Sequence, residues 1–276
     1  MRTPIARRNL FNQPVRAAVS VGGIGFAILL MFMQLGFLGA VGDTATNLFE
    51  RMDGQLVVRS PQYLHAYDPR TLSESVSRRL ISHPAVHDVR AMDLMIGLWE
   101  NPETGVNRPV AIVGMDPQRP AIYLPEFHDA RTLLRRDDLV LVDRTSRQDF
   151  GPVDGVAFGD SDLGRTININ EQPTTLSGTF EMGSGLAANG AVLTSREGFR
   201  RLSPVPRDHV ASLLVIQLKK GVDPSDAQRA LQEWLAQAGG NISLAQVMTM
   251  ASAKNAERWR WYAETPRANI IPIGVS

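Results

Sequence analysis

The chain contains no cysteine among its 276 residues. This absence excludes disulfides, thiolate nucleophiles and metal sites built from cysteine. A domain of this size does not need disulfides, even in an oxidising compartment. The lack of cysteine therefore constrains the chemistry of the protein but says little about its location.

Long runs of one charge are also absent. The net charge is +1, and acidic and basic residues alternate along the part of the chain that follows residue 41. Proteins that bind nucleic acid usually carry a clustered basic surface. The charge pattern therefore argues against nucleic acid as a partner.

Catalytic, cofactor-binding and metal-binding motifs are scarce. Among the five histidines, only His83 and His87 have helix-like spacing, and Pro84 interrupts that helix, so no metal pair is predicted. No phosphate-binding loop occurs, so the chain is not expected to hydrolyse nucleotide by itself. The acidic groups at residues 137–138 and 160–162 lack the loop pattern of a calcium site and are predicted to be surface carboxylates.

One serine superficially resembles a nucleophile. Ser184 lies between Gly183 and Gly185, but no apolar strand directly precedes it and no general base is evident. The sequence therefore predicts a protein that is not an enzyme, with no catalytic residue, no cofactor and no metal.

The most conspicuous feature present is an uncharged apolar stretch at residues 17–41. As a helix it would be roughly 37 Å long, enough to cross a hydrocarbon core of about 30 Å. Its scattered small residues suit close packing between membrane helices. The stretch is predicted to be a transmembrane helix.

The charges that flank this stretch predict its orientation. Four arginines precede it without any acid, whereas Asp43 and Glu50 follow it before the next base. The positive-inside rule then places the N-terminus in the cytoplasm and the main domain outside it. A cleaved signal peptide is the alternative, although the apolar run is too long and lacks a good cleavage site; either way the remainder is exported.

The exported part shows two similar patterns of strand, helix and strand. The first comprises residues 55–59, 73–82 and 86–100, and the second comprises residues 209–218, 223–238 and 241–244. Helix N-caps are predicted at Ser73, Ser195 and Asp223. Two such halves around a middle insertion predict an α+β fold of the split βαβ, ferredoxin-like kind. A final helix is predicted at residues 245–263, with aromatic residues and arginines near its end that suit a membrane interface.

Several stretches of the sequence resemble one family of membrane proteins. They are AILLMFMQLGF (27–37), DGQLVVRSPQY (53–63), IGLWENPETG (96–105), VGMDPQRP (113–120), LVDRTSRQDFGP (141–152), GTFEMGSGLAANGAVLTS (178–195) and LKKGVDP (218–224). In order and spacing they resemble the DevC-type permeases of ABC exporters, which are relatives of the MacB/FtsX-like permeases. The resemblance runs from about residue 5 to residue 266.

The resemblance implies a permease subunit of an inner-membrane export system. Its implied partners are a separate ABC ATPase, a periplasmic membrane-fusion adaptor, in some systems an outer-membrane channel, and a second copy of the chain. It also implies a porter-type periplasmic domain with an inserted, mainly-β subdomain. The predicted organisation is a leader (1–16), a transmembrane helix (17–41), a first periplasmic half (42–138), the insertion (139–202), a second half (203–244), a helix returning to the membrane (245–266) and an atypical tail (267–276).

The sequence departs from this family at its end. A second membrane helix should begin near residues 261–266, but only RANIIPIGVS follows. Ten residues that include a proline cannot span a bilayer. The expectation is a truncated or frameshifted permease, an N-terminal fragment that lacks three membrane helices and does not transport alone, with residues 267–276 out of frame.

Three surfaces are predicted to carry the function. Arg7 and Arg8 are candidates for the face that meets the ATPase, and Gln34 is a candidate for a hydrogen bond between membrane helices. The glycine-rich loop at residues 182–190, beginning with Met182, Gly183, Ser184 and Gly185, is a candidate adaptor contact. The alternative function is that of a membrane protein with one span whose exported domain senses or scaffolds. A third hypothesis is a periplasmic hydrolase that uses Ser184.

Overall fold

The computed structural model describes residues 14–66, 68–124, 130–182 and 189–268. The helices are α1 (Pro14–Arg51), α2 (Glu74–Ile81), α3 (Ala130–Leu133), α4 (Arg196–Leu202), α5 (Pro224–Ala236), α6 (Gly240–Ser243) and α7 (Met250–Ala268). The strands are β1 (Leu56–Arg59), β2 (Leu72–Ser73), β3 (Val86–Glu100), β4 (Asn107–Met115), β5 (Leu139–Asp143), β6 (Thr166–Ile169), β7 (Gln172–Phe180), β8 (Ala191–Ser195), β9 (Val210–Ala211), β10 (Leu213–Leu218) and β11 (Gln246–Thr249).

Helices α1 and α7 form a stalk that enters and leaves the folded domain. They pack against each other, α1 leading into β1 and α7 following β11. The apolar side chains between Val15 and Met33 are exposed along α1. Among the described residues, none of the helices combines the length and the hydropathy that a membrane span needs.

Nine strands form one mixed sheet in the order β11-β1-β10-β3-β4-β8-β5-β7-β6. At one end, β11, β1, β10 and the first part of β3 are antiparallel to their neighbours. We call β11, β1, β10 and residues 86–91 of β3, with α2 and α5, the first segment. Residues 93–100 of β3, with β4 to β8 and α4, form the second segment, and Met92 lies between the two.

The three helices of these segments begin where the sequence predicts. The side chains of Ser73, Ser195 and Asp223 each accept a hydrogen bond from a backbone N–H in the first turn of α2, α4 and α5. These bonds satisfy donors that have no partner inside the helix. The three predicted N-caps are therefore confirmed.

Apolar side chains form three clusters around the sheet. One lies between the strands of the first segment and its two helices, α2 and α5. A second lies on the second segment beneath α4 and includes the fully buried Trp99. The third covers the opposite face of both segments and contains the end of α1. The stalk therefore ends inside a core that both segments share.

Three local predictions were wrong. Residues 241–244 were expected to form a strand, but Gly240–Ser243 is a short helix, and the edge strand begins only at Gln246. The final helix was expected to begin at residue 245, but β11 occupies Gln246–Thr249 and α7 begins at Met250. Asp162 was expected to be a surface carboxylate, but it is fully buried. Its two carboxylate oxygens accept hydrogen bonds from the backbone N–H groups of Val153 and Gly159, which a buried charge requires.

Candidate functional site at the stalk junction

The outgoing helix α7 is fixed to the domain by a buried carboxylate. Glu257 is 1% exposed, although its neighbours in sequence are mostly exposed or half-buried. One of its oxygens accepts a hydrogen bond of 2.8 Å from the Tyr63 hydroxyl. The other accepts a bond of 2.8 Å from the backbone N–H of Ala66. Hydrogen bonds to ionised groups are about twice as strong as neutral ones, so Glu257 ties α7 to the connection between β1 and β2.

Two arginines surround the ring of Tyr63. The Arg260 guanidinium donates a hydrogen bond of 2.9 Å to the Tyr63 carbonyl oxygen and lies 5.4 Å from the ring centroid. The Arg59 guanidinium lies 4.7 Å from the same centroid and donates to the Gln246 side chain. Cation–π contacts of this kind add to the attachment. We call Arg59, Tyr63, Ala66, Glu257 and Arg260 the stalk junction.

Burial changes the acid–base properties of the stalk junction. Burial, together with the nearby charge of Glu257 and the hydrogen bond to it, raises the pKa of the Tyr63 hydroxyl well above its usual value. Burial also lowers the pKa of the Arg59 guanidinium. Tyr63 therefore stays neutral and remains a hydrogen-bond donor across the physiological pH range.

The incoming helix α1 is fixed to different parts of the domain. Its last turn places Leu48 and Phe49 in the core shared by both segments, and Met52, just beyond the helix, lies in the same core. The Asn47 side chain donates a hydrogen bond of 2.6 Å to the carbonyl oxygen of Met182, directly after β7.

Backbone pairing adds a further attachment at the end of α1. Asp53 N–H donates to the carbonyl oxygen of Ala121, and Tyr123 N–H donates to that of Arg51. Residues 121–123 follow β4, so these bonds connect the end of α1 to the second segment. Helix α7 bonds through Glu257 to the connection that follows β1. The Asp53 carboxylate, just beyond α1, also accepts hydrogen bonds from Arg90 and Gln217 of the first segment.

The predicted site residues fall partly outside the described structure. Arg7, Arg8, Gly183, Ser184 and Gly185 lie outside the described residues. Gln34 lies on α1, at a position whose side chain is not described. Met182 is 6% exposed and belongs to the core that contains the end of α1. The structure therefore places Met182 beside the stalk and leaves the other predicted contacts as predictions.

Sequence reasoning missed the stalk junction. Ala253 and Glu257 are four residues apart, so they share one face of α7, and Ala253 is buried. That spacing was the available signal for burial of Glu257. Its partners lie more than 190 residues away in sequence, so no local pattern could reveal them.

Within the described ranges, no group of three or more histidine, aspartate or glutamate side chains could hold a metal ion. The junction consists of hydrogen bonds, cation–π contacts and apolar packing between helix ends and domain. Such an arrangement can transmit displacement or force from the stalk to the two segments.

Comparisons with known proteins address the fold and the family. The periplasmic region of MacB from Actinobacillus actinomycetemcomitans has a TM-score of 0.51 at 11% identity, over 78% of this chain and 97% of that one. The extracellular domain of the noncanonic ABC-type transporter YknZ from Gram-positive bacteria has a TM-score of 0.48 at 13% identity, over 71% and 98%. A search of the curated proteins found no significant match.

The likeness to the MacB periplasmic region confirms a mixed α+β architecture of that kind. The family described as the MacB-like periplasmic core domain matches residues 17–234, which is most of the chain. The chain therefore belongs to the MacB-like periplasmic core domain family.

Proposed function

We propose that the chain is a permease subunit of an ABC-type export system, anchored in the inner membrane with its main domain in the periplasm. A separate ATPase hydrolyses ATP, and the stalk passes the resulting movement to the domain. The observation that carries this proposal is the attachment of the two stalk helices. Glu257 ties α7 to the connection between β1 and β2, and the residues at the end of α1 are bonded to both segments.

The membrane helix is part of the proposal. Residues 17–41 are uncharged and lie within the single helix α1. Arginines precede this stretch and acids follow it, which supports a cytoplasmic N-terminus. The chain itself carries out no reaction in this proposal, which needs no cofactor.

The domain arrangement proposed here is a porter-type layer with an insertion. Strands β11, β1, β10 and β3 are adjacent and antiparallel, with α2 following β1 and α5 following β10. This order supports a split βαβ layer of the ferredoxin-like kind. Residues 139–202, which contain β5 to β8 and α4, are the proposed insertion.

Three contacts with partners are proposed. Arg7 and Arg8 face the ATPase, and Gln34 makes a hydrogen bond to another membrane helix. Met182, Gly183, Ser184 and Gly185 contact a periplasmic membrane-fusion adaptor. A homodimer and an outer-membrane channel complete the proposed assembly. Met182 supports the adaptor contact because its carbonyl oxygen accepts a bond from α1, which couples the start of this loop to the stalk.

Co-purification from native membranes tests the proposal. Tagged full chain should retain an ATPase whose sequence carries a phosphate-binding loop, and the complex should hydrolyse ATP. The double variant Arg7→Ala/Arg8→Ala should retain about tenfold less ATPase, equivalent to about 1.4 kcal/mol of binding free energy. Arg2→Ala is the matched control and should retain the wild-type amount.

The opposite outcome would favour the alternative function. If the wild-type chain retains no such ATPase, the chain does not work as a permease subunit. The better supported function is then that of a membrane protein with one span, whose exported domain senses or scaffolds.

A further inference from the structure

One strand joins the two segments of the sheet. In β3, Val86 to Met92 pair with β10, whereas Met92 to Glu100 pair with β4. The two ladders overlap only at Met92, where the strand has partners on both sides. The segments are therefore staggered along β3, and Met92 and Asp93 lie at the position where bending of β3 would move one segment relative to the other.

A cleft separates the segments beside this position. It has a volume of about 850 Å³ and is lined from one side by Ser77 of α2 and Val89 to Ala91 of β3. From the other side it is lined by residues 135–137, which precede β5, and by Ser195 to Glu197 at the start of α4. The apolar clusters under α2 and α4 are separate, so this face lacks a core common to both segments.

Arg196 bridges the segments at the bending position. It belongs to α4 of the second segment, and its Nε donates a hydrogen bond of 2.8 Å to Asp93. Its other two nitrogens donate to the Glu74 carboxylate of α2, at 3.0 Å, and to the Val210 carbonyl oxygen, at 2.7 Å. One guanidinium thus connects α4 to the central strand, to α2 of the first segment and to β9.

The surroundings of Arg196 make the bridge a buried one. Asp93 is 2% exposed, and its second oxygen accepts from the backbone N–H of Ser212. Buried, hydrogen-bonded charge pairs are costly to break because each partner would be left without compensation. Two other pairs join the segments: Arg119, which is 56% exposed, pairs with Asp88, and Arg200 of α4 lies 3.9 Å from Glu74 of α2. The exposed pair contributes little, and the Arg200 pair is too long for a hydrogen bond.

The stalk meets the sheet on the opposite face. Leu48 and Phe49 of α1 lie in the cluster that contains Val215 of the first segment and Leu193 of the second. The end of α1 therefore packs across the line at which the two segments meet.

We propose that Met92 and Asp93 form a hinge between the two segments, that Arg196 holds this hinge in one position, and that the cleft opens or narrows as the stalk moves. This inference rests on the proposed function for the origin of the movement. The residues that act in it are Arg196, Asp93 and Glu74, which fix the relative position of the segments.

Distance measurements between spin labels test the hinge without any partner. Because the chain has no cysteine, Thr166→Cys on β6 and Arg229→Cys on α5 give two unique labels, one on each segment. The purified full chain should give one narrow distance distribution. In Arg196→Gln the distribution should broaden or gain a second distance, while the circular dichroism spectrum stays unchanged.

The matched control is another arginine of the same helix. Arg201 donates to the Pro173 carbonyl oxygen within the second segment, so Arg201→Gln should leave the distance distribution unchanged. If Arg196→Gln does not fold, the same distance measurement is made on Glu74→Gln and on Asp93→Asn. Each of these substitutions weakens one acceptor of the Arg196 bridge, so the same broadening is expected.

The hinge would be overturned if Arg196→Gln, Glu74→Gln and Asp93→Asn folded and gave the same distribution of spin-label distances as the wild-type chain. If none of the three variants folded, Arg196 would be a packing requirement of a single rigid body, and the proposal would also fail. Neither result bears on ATPase retention, so failure of the hinge is distinguishable from failure of the permease assignment.

Discussion

At the residue scale, the buried carboxylate of Glu257 is the group that most directly connects a stalk helix to the domain. Both of its oxygens have donors, and the charge of the Arg59 guanidinium partly compensates its charge. A buried charge that is satisfied in this way is costly to disturb, because removal of the charge leaves its donors without an equally strong acceptor.

Glu257→Gln tests the energetic role of this group. The amide keeps the shape of the side chain but replaces one accepting oxygen with a donor, so one charge-assisted hydrogen bond is lost. We expect the free energy of unfolding of the full chain to fall by about 2 kcal/mol. Asn255→Ala, at an exposed position of α7, is the control and should change it by less than about 0.5 kcal/mol. Equal effects of the two substitutions in urea unfolding would show that Glu257 does not hold α7.

Tyr63 supplies a prediction about pH. Burial raises its pKa, so the folded chain keeps the hydroxyl proton at pH values where the unfolded chain has lost it. Its contribution to stability is therefore complete below about pH 10 and falls as the pH rises further. Tyrosinate absorbance should show that Tyr63→Phe removes the step at the highest pH.

The exposed Tyr123 is the matched control for this titration. Tyr123→Phe should leave the step at the highest pH in place, because that step belongs to Tyr63. If Tyr63→Phe removed a step at the usual pKa of tyrosine, the hydroxyl would not be buried against Glu257.

At the scale of elements, helix starts were predictable and long-range pairing was not. Ser73, Ser195 and Asp223 are each followed by a favourable first turn, and each forms the expected cap. The signal is local because a cap bonds to backbone groups two or three residues away.

Strand order and buried charge depend on distant partners. The pairing of β1 with β10 joins residues more than 150 positions apart, and Arg196 reaches Asp93 across 103 positions. The sequence pattern did not reveal the burial of Asp162, because the two backbone N–H groups that bond to it belong to the surrounding loops. The α+β class could therefore be predicted from the sequence, whereas the stalk junction and the Arg196 bridge could not.

The contact between α4 and β4 provides a test at this scale. A Cβ atom added to Gly114 would lie 2.5 Å from the Cβ atom of Phe199, which is fully buried. We expect Gly114→Ala to lower the free energy of unfolding by about 1–3 kcal/mol, since overpacking forces the helix away from the sheet.

Gly159→Ala is the control for this substitution, because the added atom would have no neighbour within 4 Å. A Gly114→Ala variant as stable as Gly159→Ala would contradict the close approach of α4 to β4.

At the scale of the whole molecule, a nine-stranded sheet carries two segments with separate cores on one face and a shared core on the other. The shared core receives the end of α1, and the stalk junction receives α7. A displacement between α1 and α7 therefore acts on both segments. This arrangement suits the proposed change of shape on movement of the stalk.

The central claim is that the domain lies outside the cytoplasm, on a stalk that leads into the membrane. The most direct test is labelling of single cysteines in intact cells with a maleimide that cannot cross the inner membrane. Arg229→Cys, whose native side chain is 73% exposed on α5, should be labelled in intact cells. Arg8→Cys should be labelled only after lysis. Labelling of Arg229→Cys only after lysis would place the domain in the cytoplasm and contradict the account.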